Sequence, residues 1–287
     1  MKFLVLGAGG MAGHIIGLYL TEEGHFVDSV TRRPIAFLQH NLLCDLTDKE
    51  KTLSIIKEGA YDCIVNCAGL LNKNADENKK NAIYINSYLP HLIAESIKGS
   101  CTKLIQISTD CVFSGHSGKY DEKSIPDGET WYDRTKALGE IVDESNLTLR
   151  NSIIGPDINV NGIGLFNWFM KQTGNLNGYD KAIWTGVTTL TLAKAVLKAC
   201  EQKLNGLYHL VNNETINKFE LLKLFNKHFK YSKLNIEPLS SIVVDKSLVN
   251  TRKDFDFSIP SYETMIIEMK EWIQSHKQLY PHYSIAR

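Results

Sequence analysis

The stretch KFLVLGAGGMAGHIIGLYL, residues 2–20, decides the fold. Its first five residues are an apolar run that ends at Gly7, and a helical pattern occupies about 11–21. Between them lie Gly7, Gly9, Gly10 and Gly13, which permit a tight turn, let the backbone approach a diphosphate, and allow the helix to pack close to the strand. The free N–H groups from Met11 onward and the positive end of the helix dipole would then face the phosphates. A glycine pattern alone is weak evidence. This one follows a buried-type strand and precedes a helix, which is the context a dinucleotide turn requires; the alternative is a glycine-rich turn with no ligand. Residues 3–20 also carry no Asp, Glu, Lys or Arg over a length that could span a bilayer. Five glycines and His14 interrupt that run and no small-residue cleavage site follows, so neither a membrane span nor an export signal is expected.

Working outward, 25–30, 61–66, 103–108 and 147–150 read as further strands, with helices at 78–98 and 132–144. Strands that are apolar throughout and alternate with helices imply a parallel sheet covered on both faces, an α/β, Rossmann-type doubly wound fold. After Gly155-Pro156 the pattern changes. A Gly- and Asn-rich stretch, 159–178, surrounds an aromatic helix at 165–171. Helices at 188–202, 217–229 and 262–276 and a strand at 207–211 follow, while 231–256 reads as irregular. The expected organisation is a dinucleotide-binding unit over 1–155 and a smaller substrate-binding lobe over 156–287, with 182–211 returning to the sheet.

Thirty-two basic residues balance 32 acidic ones among 287. That balance argues against a nucleic-acid partner bound by broad phosphate neutralisation. The six cysteines, Cys44, Cys63, Cys67, Cys101, Cys111 and Cys200, have no zinc-type spacing and read as reduced thiols of a cytoplasmic protein.

The second strand exits into Thr31, Arg32 and Arg33. A carboxylate there would take the ribose hydroxyl of NAD, whereas two arginines suit the 2′-phosphate of NADP, so NADP(H) is favoured over NAD(H). The alternative is a pair of solvated surface arginines. Asp28 lies too early on the strand to reach the ribose. Asp45 and Leu46 could border the adenine, although an Asp in such a loop commonly caps the next helix. Tyr132 and Lys136, four apart, share one helix face, and a lysine beside a phenol lowers its pKa toward a value useful for proton transfer. Ser108 and Thr109 end a buried strand about two dozen residues earlier, where a hydroxyl could share a substrate oxygen with Tyr132.

These residues resemble the extended short-chain dehydrogenase/reductase family, and within it the dTDP-4-dehydrorhamnose reductase-like branch. The matching pieces are GAGGMAG at 7–13, VNCAG at 65–69, IQISTDCVFSG at 105–115, YDRTKALGE at 132–140, LRNSIIG at 149–155 and GLYHLV at 206–211. The resemblance implies that Gly7, Gly10 and Gly13 form the dinucleotide turn and that Asn66, Cys67, Ala68 and Gly69 line the cofactor. It makes Thr109 the binder of the substrate carbonyl, Tyr132 the general acid, and Lys136 the holder of the nicotinamide ribose. Asp110, Cys111, Val112 and Phe113 would lie along the sugar.

Two departures stand out. Cys111 occupies a position that is usually aromatic in the branch, and the acidic residue that dehydratase relatives carry after Thr-Asp is missing, which favours reduction over dehydration. With no His or Lys adjoining it in sequence, Cys111 is not read as a nucleophile. Trp184 could pack on the nucleotide base or belong to the core, and Arg150 could pair with a diphosphate or form a structural ion pair. His14 and His209 read as packing residues. The aromatic group at 166–169 could be core, a homodimer contact or a substrate wall.

The resulting expectation is an NADP-dependent reductase of the keto group of a nucleotide-activated deoxysugar, working in cell-surface polysaccharide biosynthesis. Alternatives are an epimerase of the same family with tightly held NAD, and a non-catalytic cofactor-binding subunit of another enzyme. Relatives of the rhamnose enzyme are helped by Mg²⁺, but no carboxylate cluster in this sequence argues for a metal.

Overall fold

The computed structural model describes residues 1–284. The first half runs β1 (Lys2–Leu6), α1 (Met11–Glu22), β2 (Phe26–Thr31), β3 (His40–Leu43), α2 (Lys49–Gly59), β4 (Cys63–Asn66), α3 (Asn72–Glu77), α4 (Lys79–Ala82), a π-helical segment (Ile83–Tyr88), α5 (Leu89–Ser96), β5 (Lys103–Ile107), a 3₁₀ turn (Asp110–Val112), α6 (Trp131–Leu138) and β6 (Leu147–Arg150). The second continues with β7 (Ile153–Ile154), α7 (Leu165–Met170), β8 (Asn175–Tyr179), β9 (Ala182–Trp184), β10 (Val187–Thr188), α8 (Thr189–Glu201), β11 (Gly206–His209), β12 (Ile216–Asn217), α9 (Lys218–Phe229), β13 (Asn235–Leu239), β14 (Val244–Asp245) and α10 (Tyr262–Ser275).

Seven strands form one sheet in the order β11-β6-β5-β4-β1-β2-β3, and every pairing in it is parallel. Its strands are apolar in both directions because both faces are covered. Phe3, Val5, Val65, Ile105 and Leu149 point into a core shared with Ile15 and Ile16 of α1 and Leu192 and Val196 of α8. Leu4, Leu6, Ile64 and Leu104 point the other way, against Ile56 of α2 and Leu89 and Ile93 of α5. Each such side chain, fully buried, contributes about 1.5–3 kcal/mol. From β1 the chain winds outward to β3, then returns to the opposite side of β1 as β4. The carboxyl ends of β1 and β4 therefore flank a topological switch point, where open α/β sheets bind ligands.

The structure adds α2, α3 and the short strands β7, β8 and β12 to the elements read from the sequence, and differs from that reading in four further places. The helix expected over 78–98 is α4, a π-helical segment and α5, because Asn86 turns inward to make the contacts described below. Strand β3, which the sequence did not reveal, is a short edge strand without a buried residue. The helix expected over 132–144 stops at Leu138, with Gly139 as its C-cap. The stretch 231–256 contains two strands: β13 pairs with β8, and β14 joins β9 and β12 in a small three-stranded sheet. The second half also returns to the first. Helix α8 lies against α1, β11 extends the central sheet beyond β6, and the Sγ atoms of Cys63 and Cys200 come within 2.8 Å. Among the described residues, no helix is long and apolar enough to cross a membrane.

Candidate active site

The glycine turn sits at the carboxyl end of β1. Gly7 has φ +75°, and a Cβ there would lie 2.9 Å from the Ala68 amide nitrogen. A Cβ on Gly13 would lie 2.4 Å from the Gly7 carbonyl oxygen, so only glycine lets α1 start this close to the strand. No side chain caps α1 at Gly10, which leaves the amides of its first turn aimed at the crevice. A cradle that a single methyl group would fill, rimmed by uncapped N–H groups and by the backbone of Cys67 and Ala68, fits a dinucleotide diphosphate. Gly9 packs near Ile35, and Met11 faces Gly164 across the turn; Gly69 is exposed on the same rim.

His14, buried on α1, braces the turn from behind. The Gly10 carbonyl can only accept, so Nδ1–H donates to it at 2.9 Å and Nε2 accepts from the Tyr280 hydroxyl at 2.8 Å. Burial presses the imidazole down to about 4 and keeps it neutral.

At the end of β4, Asn66 donates to Gln106 Oε1 at 2.8 Å and accepts from the Ala68 amide at 3.2 Å, which fixes the 67–69 loop. Asn86, from the π-helical segment, grips that loop through the amide and carbonyl of Leu70, at 2.8 and 2.9 Å. It also donates to Thr135 of α6 at 3.0 Å. One side chain thus ties the 67–70 loop to α6, and π-helical insertions are frequent at functional sites.

Helix α6 begins with a capping box: Thr130 Oγ1 accepts from the Asp133 amide and Asp133 accepts from the Thr130 amide, both at 3.1 Å. This orients Tyr132 and Lys136, both buried, toward the carboxyl end of β5. Thr109 caps the 3₁₀ turn by accepting from the Cys111 amide at 3.1 Å, donates to Asp110 Oδ1 at 3.1 Å, and reaches the Tyr132 hydroxyl. Lys136 Nζ donates to the Ile107 carbonyl at 2.6 Å. Burial draws its ammonium down to about 8, opposed by Glu140.

The Tyr132 phenol does not follow the expected lowering by lysine. Burial, then the neighbouring Cys111, push it up, and Thr109 opposes them weakly. Desolvation dominates, and Lys136 is not among the groups that move this phenol. Cys111 is likewise driven up to about 12, first by burial and then by Asp110, a thiol far from the thiolate form that nucleophilic chemistry requires.

Several residues expected at ligands turn out to be structural. Val112 and Phe113 are fully buried; the Phe113 ring stacks on Tyr120 with centroids 4.1 Å apart, so neither lies along a sugar. Arg150 is buried and bonded through Nε and Nη2 to both oxygens of Glu140, each at 2.7 Å. Trp184 is buried against Tyr262 and cannot stack on a base. Asp45, exposed, accepts through Oδ1 from the amide and hydroxyl of Thr47, at 2.9 and 2.8 Å, and Leu46 is buried in the core under α2 and α5. Phe166 and Phe169 are core residues packed on Phe225. Asp28 is held by the Tyr61 hydroxyl at 2.8 Å. Arg32 and Arg33 are exposed at the end of β2. Among the described residues, no group of three His, Cys, Asp or Glu could hold a metal ion.

The sequence pattern of the RmlD substrate binding domain matches residues 1–275. The chain belongs to that family. Among curated relatives of this RmlD-family chain, a probable low-salt glycan biosynthesis reductase of Haloferax volcanii is 31% identical over 143 residues, 49% of this chain and 48% of the relative. The dTDP-4-dehydrorhamnose reductase of Mycolicibacterium smegmatis is 28% identical over 48% of this chain and 40% of its own length. The chain thus spans about half the length of these relatives or less. Methionine adenosyltransferase 2 subunit beta of Xenopus tropicalis is 24% identical over 83% of the chain and 75% of its own length. Among solved structures, a hypothetical dTDP-4-dehydrorhamnose reductase from Sulfolobus tokodaii superposes with a TM-score of 0.77 at 26% identity, covering 92% of this chain and 98% of that one.

One residue of the site escaped the sequence reading. Asn86 was visible only as a polar residue inside an apolar helical pattern.

Proposed function

We propose that this RmlD-family chain is an NADPH-dependent reductase of the keto group of a nucleotide-activated deoxysugar. The observation that carries the reading is the Thr109–Tyr132 pair, held by a capped helix beside Lys136 and across the switch point from the glycine turn. Gly7, Gly10, Met11 and Gly13, with Cys67, Ala68 and Gly69, would hold the dinucleotide, and Arg32 and Arg33 would meet its 2′-phosphate. NADPH, when bound, supplies the hydride.

The chain's own residues do the rest. Tyr132 Oη would donate to the substrate oxygen as negative charge develops there, and Thr109 would join it by turning its hydroxyl from Asp110 Oδ1. Burial keeps Tyr132 in its protonated form, which is the form a general acid needs in the reductive direction. Lys136, one helical turn along α6 from Tyr132, would offer its ammonium to the cofactor's ribose. Asn86 and Glu140 act on this group indirectly, the first by fixing α6 and the second by favouring the charged ammonium of Lys136. The test is NADPH oxidation against a panel of dTDP-, UDP- and GDP-linked 4-keto-sugars. The Tyr132→Phe variant should bind NADPH normally and lose at least ~100-fold in turnover; near-normal turnover would sink the assignment.

A second reading is supported by the long match to a methionine adenosyltransferase subunit, namely a cofactor-binding regulatory subunit without activity of its own. An intact Thr109, Tyr132 and Lys136 speaks against it, since a binder needs no proton donor. Stoichiometric capture of a partner enzyme, with no activity on any keto-sugar in the panel, would reinstate it.

A further inference from the structure

Two of the six cysteines end up sulfur to sulfur. Cys63 is the first residue of β4, and Cys200 lies in the last turn of α8. They are 137 positions apart in sequence, yet their Sγ atoms stand 2.8 Å from each other. A disulfide needs about 2.05 Å, a gap that small side-chain rotations can close. Among the described residues no other pair of cysteines makes such a contact. The two sulfurs are unequally placed. Cys63 is buried in the core shared with α8, and Cys200, half-buried, packs on the edge of that core, so a reagent in solution meets Cys200 first. Lys103 stands directly across the β4–β5 ladder from Cys63. Its ammonium favours the Cys63 thiolate, against the burial that opposes it.

We propose that Cys63 and Cys200 are an oxidisable pair, which a low-molecular-weight disulfide converts into a bond that staples α8 to the central sheet. The Cys200 thiolate attacks one sulfur of the small disulfide and displaces the other as a thiolate, which takes up the proton that Cys200 gave up. Cys63 then loses its proton, its sulfur attacks Cys200 Sγ, and the second small thiolate leaves and is protonated in turn. Two cysteine thiols are oxidised, and one small disulfide is reduced to two thiols. The bond ties together positions far apart in the chain, and long loops gain most from such closure. It forms at the end of β4 opposite Asn66 and the 67–69 loop, so the crevice is left as it is. This inference stands independently of the reductase reading.

The experiment incubates the folded, full-length protein with oxidised glutathione, maps the disulfide-linked peptides, and measures the thermal midpoint before and after reduction. The expected result is a peptide pair joining 63 to 200 and a midpoint several degrees higher, both reversed by dithiothreitol. Cys200→Ser and Cys200→Ala, changes at a half-buried position, should show neither. Exposed Cys101 serves as the internal control for simple capping by glutathione. Glutathione retained on Cys200 with Cys63 still free would overturn the inference. So would a link between 63 and 200 that forms only after denaturation.

Discussion

Two cations of the fold, buried Arg150 and partly exposed Lys218, are opposites. Arg150 spends Nε and Nη2 on Glu140, each at 2.7 Å, lays its guanidinium 5.1 Å from the Phe113 ring, and places Nη1 3.3 Å from His209 Nε2. Lys218 has the Trp184 ring beneath it and no acceptor among the described residues. Both are cations, but the fold answers the buried one and leaves the partly exposed one to solvent. A cation whose donors are all answered within the fold is part of the frame, and one whose donors are left to water is not.

The largest expected effect tests the saturated member. Arg150→Ala strands Glu140 in the interior and should cost about 3–5 kcal/mol in chemical denaturation. Replacing both, as Arg150→Met with Glu140→Leu, should recover most of that. An Arg150 variant that keeps full stability but binds substrate poorly would erase the contrast.

Acid attacks the same cluster. Because Arg150 donates to His209 Nε2 and the Val249 carbonyl accepts from Nδ1, at 3.0 Å, the imidazole must be neutral; burial lowers it to about 4. A folded value below the unfolded ~6.5 means the unfolded chain takes up the proton first. This part of stability is fully present above about pH 6.5 and is lost as pH falls toward 4, by up to about 3 kcal/mol. Denaturation midpoints measured from pH 7 to 4.5 should fall, and less steeply in His209→Asn. An identical slope in that variant would exclude His209 as the source.

Lys218→Met should act with the opposite sign. Exchanging an unanswered ammonium for a thioether of similar length should leave the ligand-free protein as stable or about 1 kcal/mol more so; a loss comparable to Arg150→Ala would show Lys218 to be structural. The exposed Arg32 supplies the smallest stability effect. Arg32→Ala should change stability by no more than about 0.5 kcal/mol, yet narrow a preference for NADPH over NADH by about tenfold, as expected for one charge-assisted hydrogen bond. Unchanged relative affinities would remove NADP selection from this residue.

The doubly wound sheet was legible because its evidence is local. A strand such as Leu4 to Leu6 that is buried on both faces reads apolar without alternation, and the glycine turn carries its geometry in its composition. That Tyr132 and Lys136 lie on one helix was legible from their spacing, while their roles came from the resemblance. What the sequence did not disclose depends on distant partners. Arg150 could not be sorted from a ligand-binding cation without seeing Glu140 beside it. Phe113, in a motif that includes the catalytic threonine, reads like its neighbours until Tyr120 is found stacked on it. Asn86 interacts with Thr135, 49 residues away, and breaks a helix whose apolar spacing looks unbroken. Lys218 comes to lie over Trp184 only through the pairing of two short strands.

The hydrogen bond from Tyr280 to His14 joins positions 266 residues apart, and its consequence lies in the order of synthesis. A ribosome releases the glycine turn and α1 early, yet the covering helix α8, the strand β11 and the tyrosine that accommodates the buried imidazole all emerge much later. Until then one face of the nascent sheet is bare, and His14 has no hydroxyl to satisfy Nε2. The glycine turn is therefore braced by a residue made 266 positions after His14.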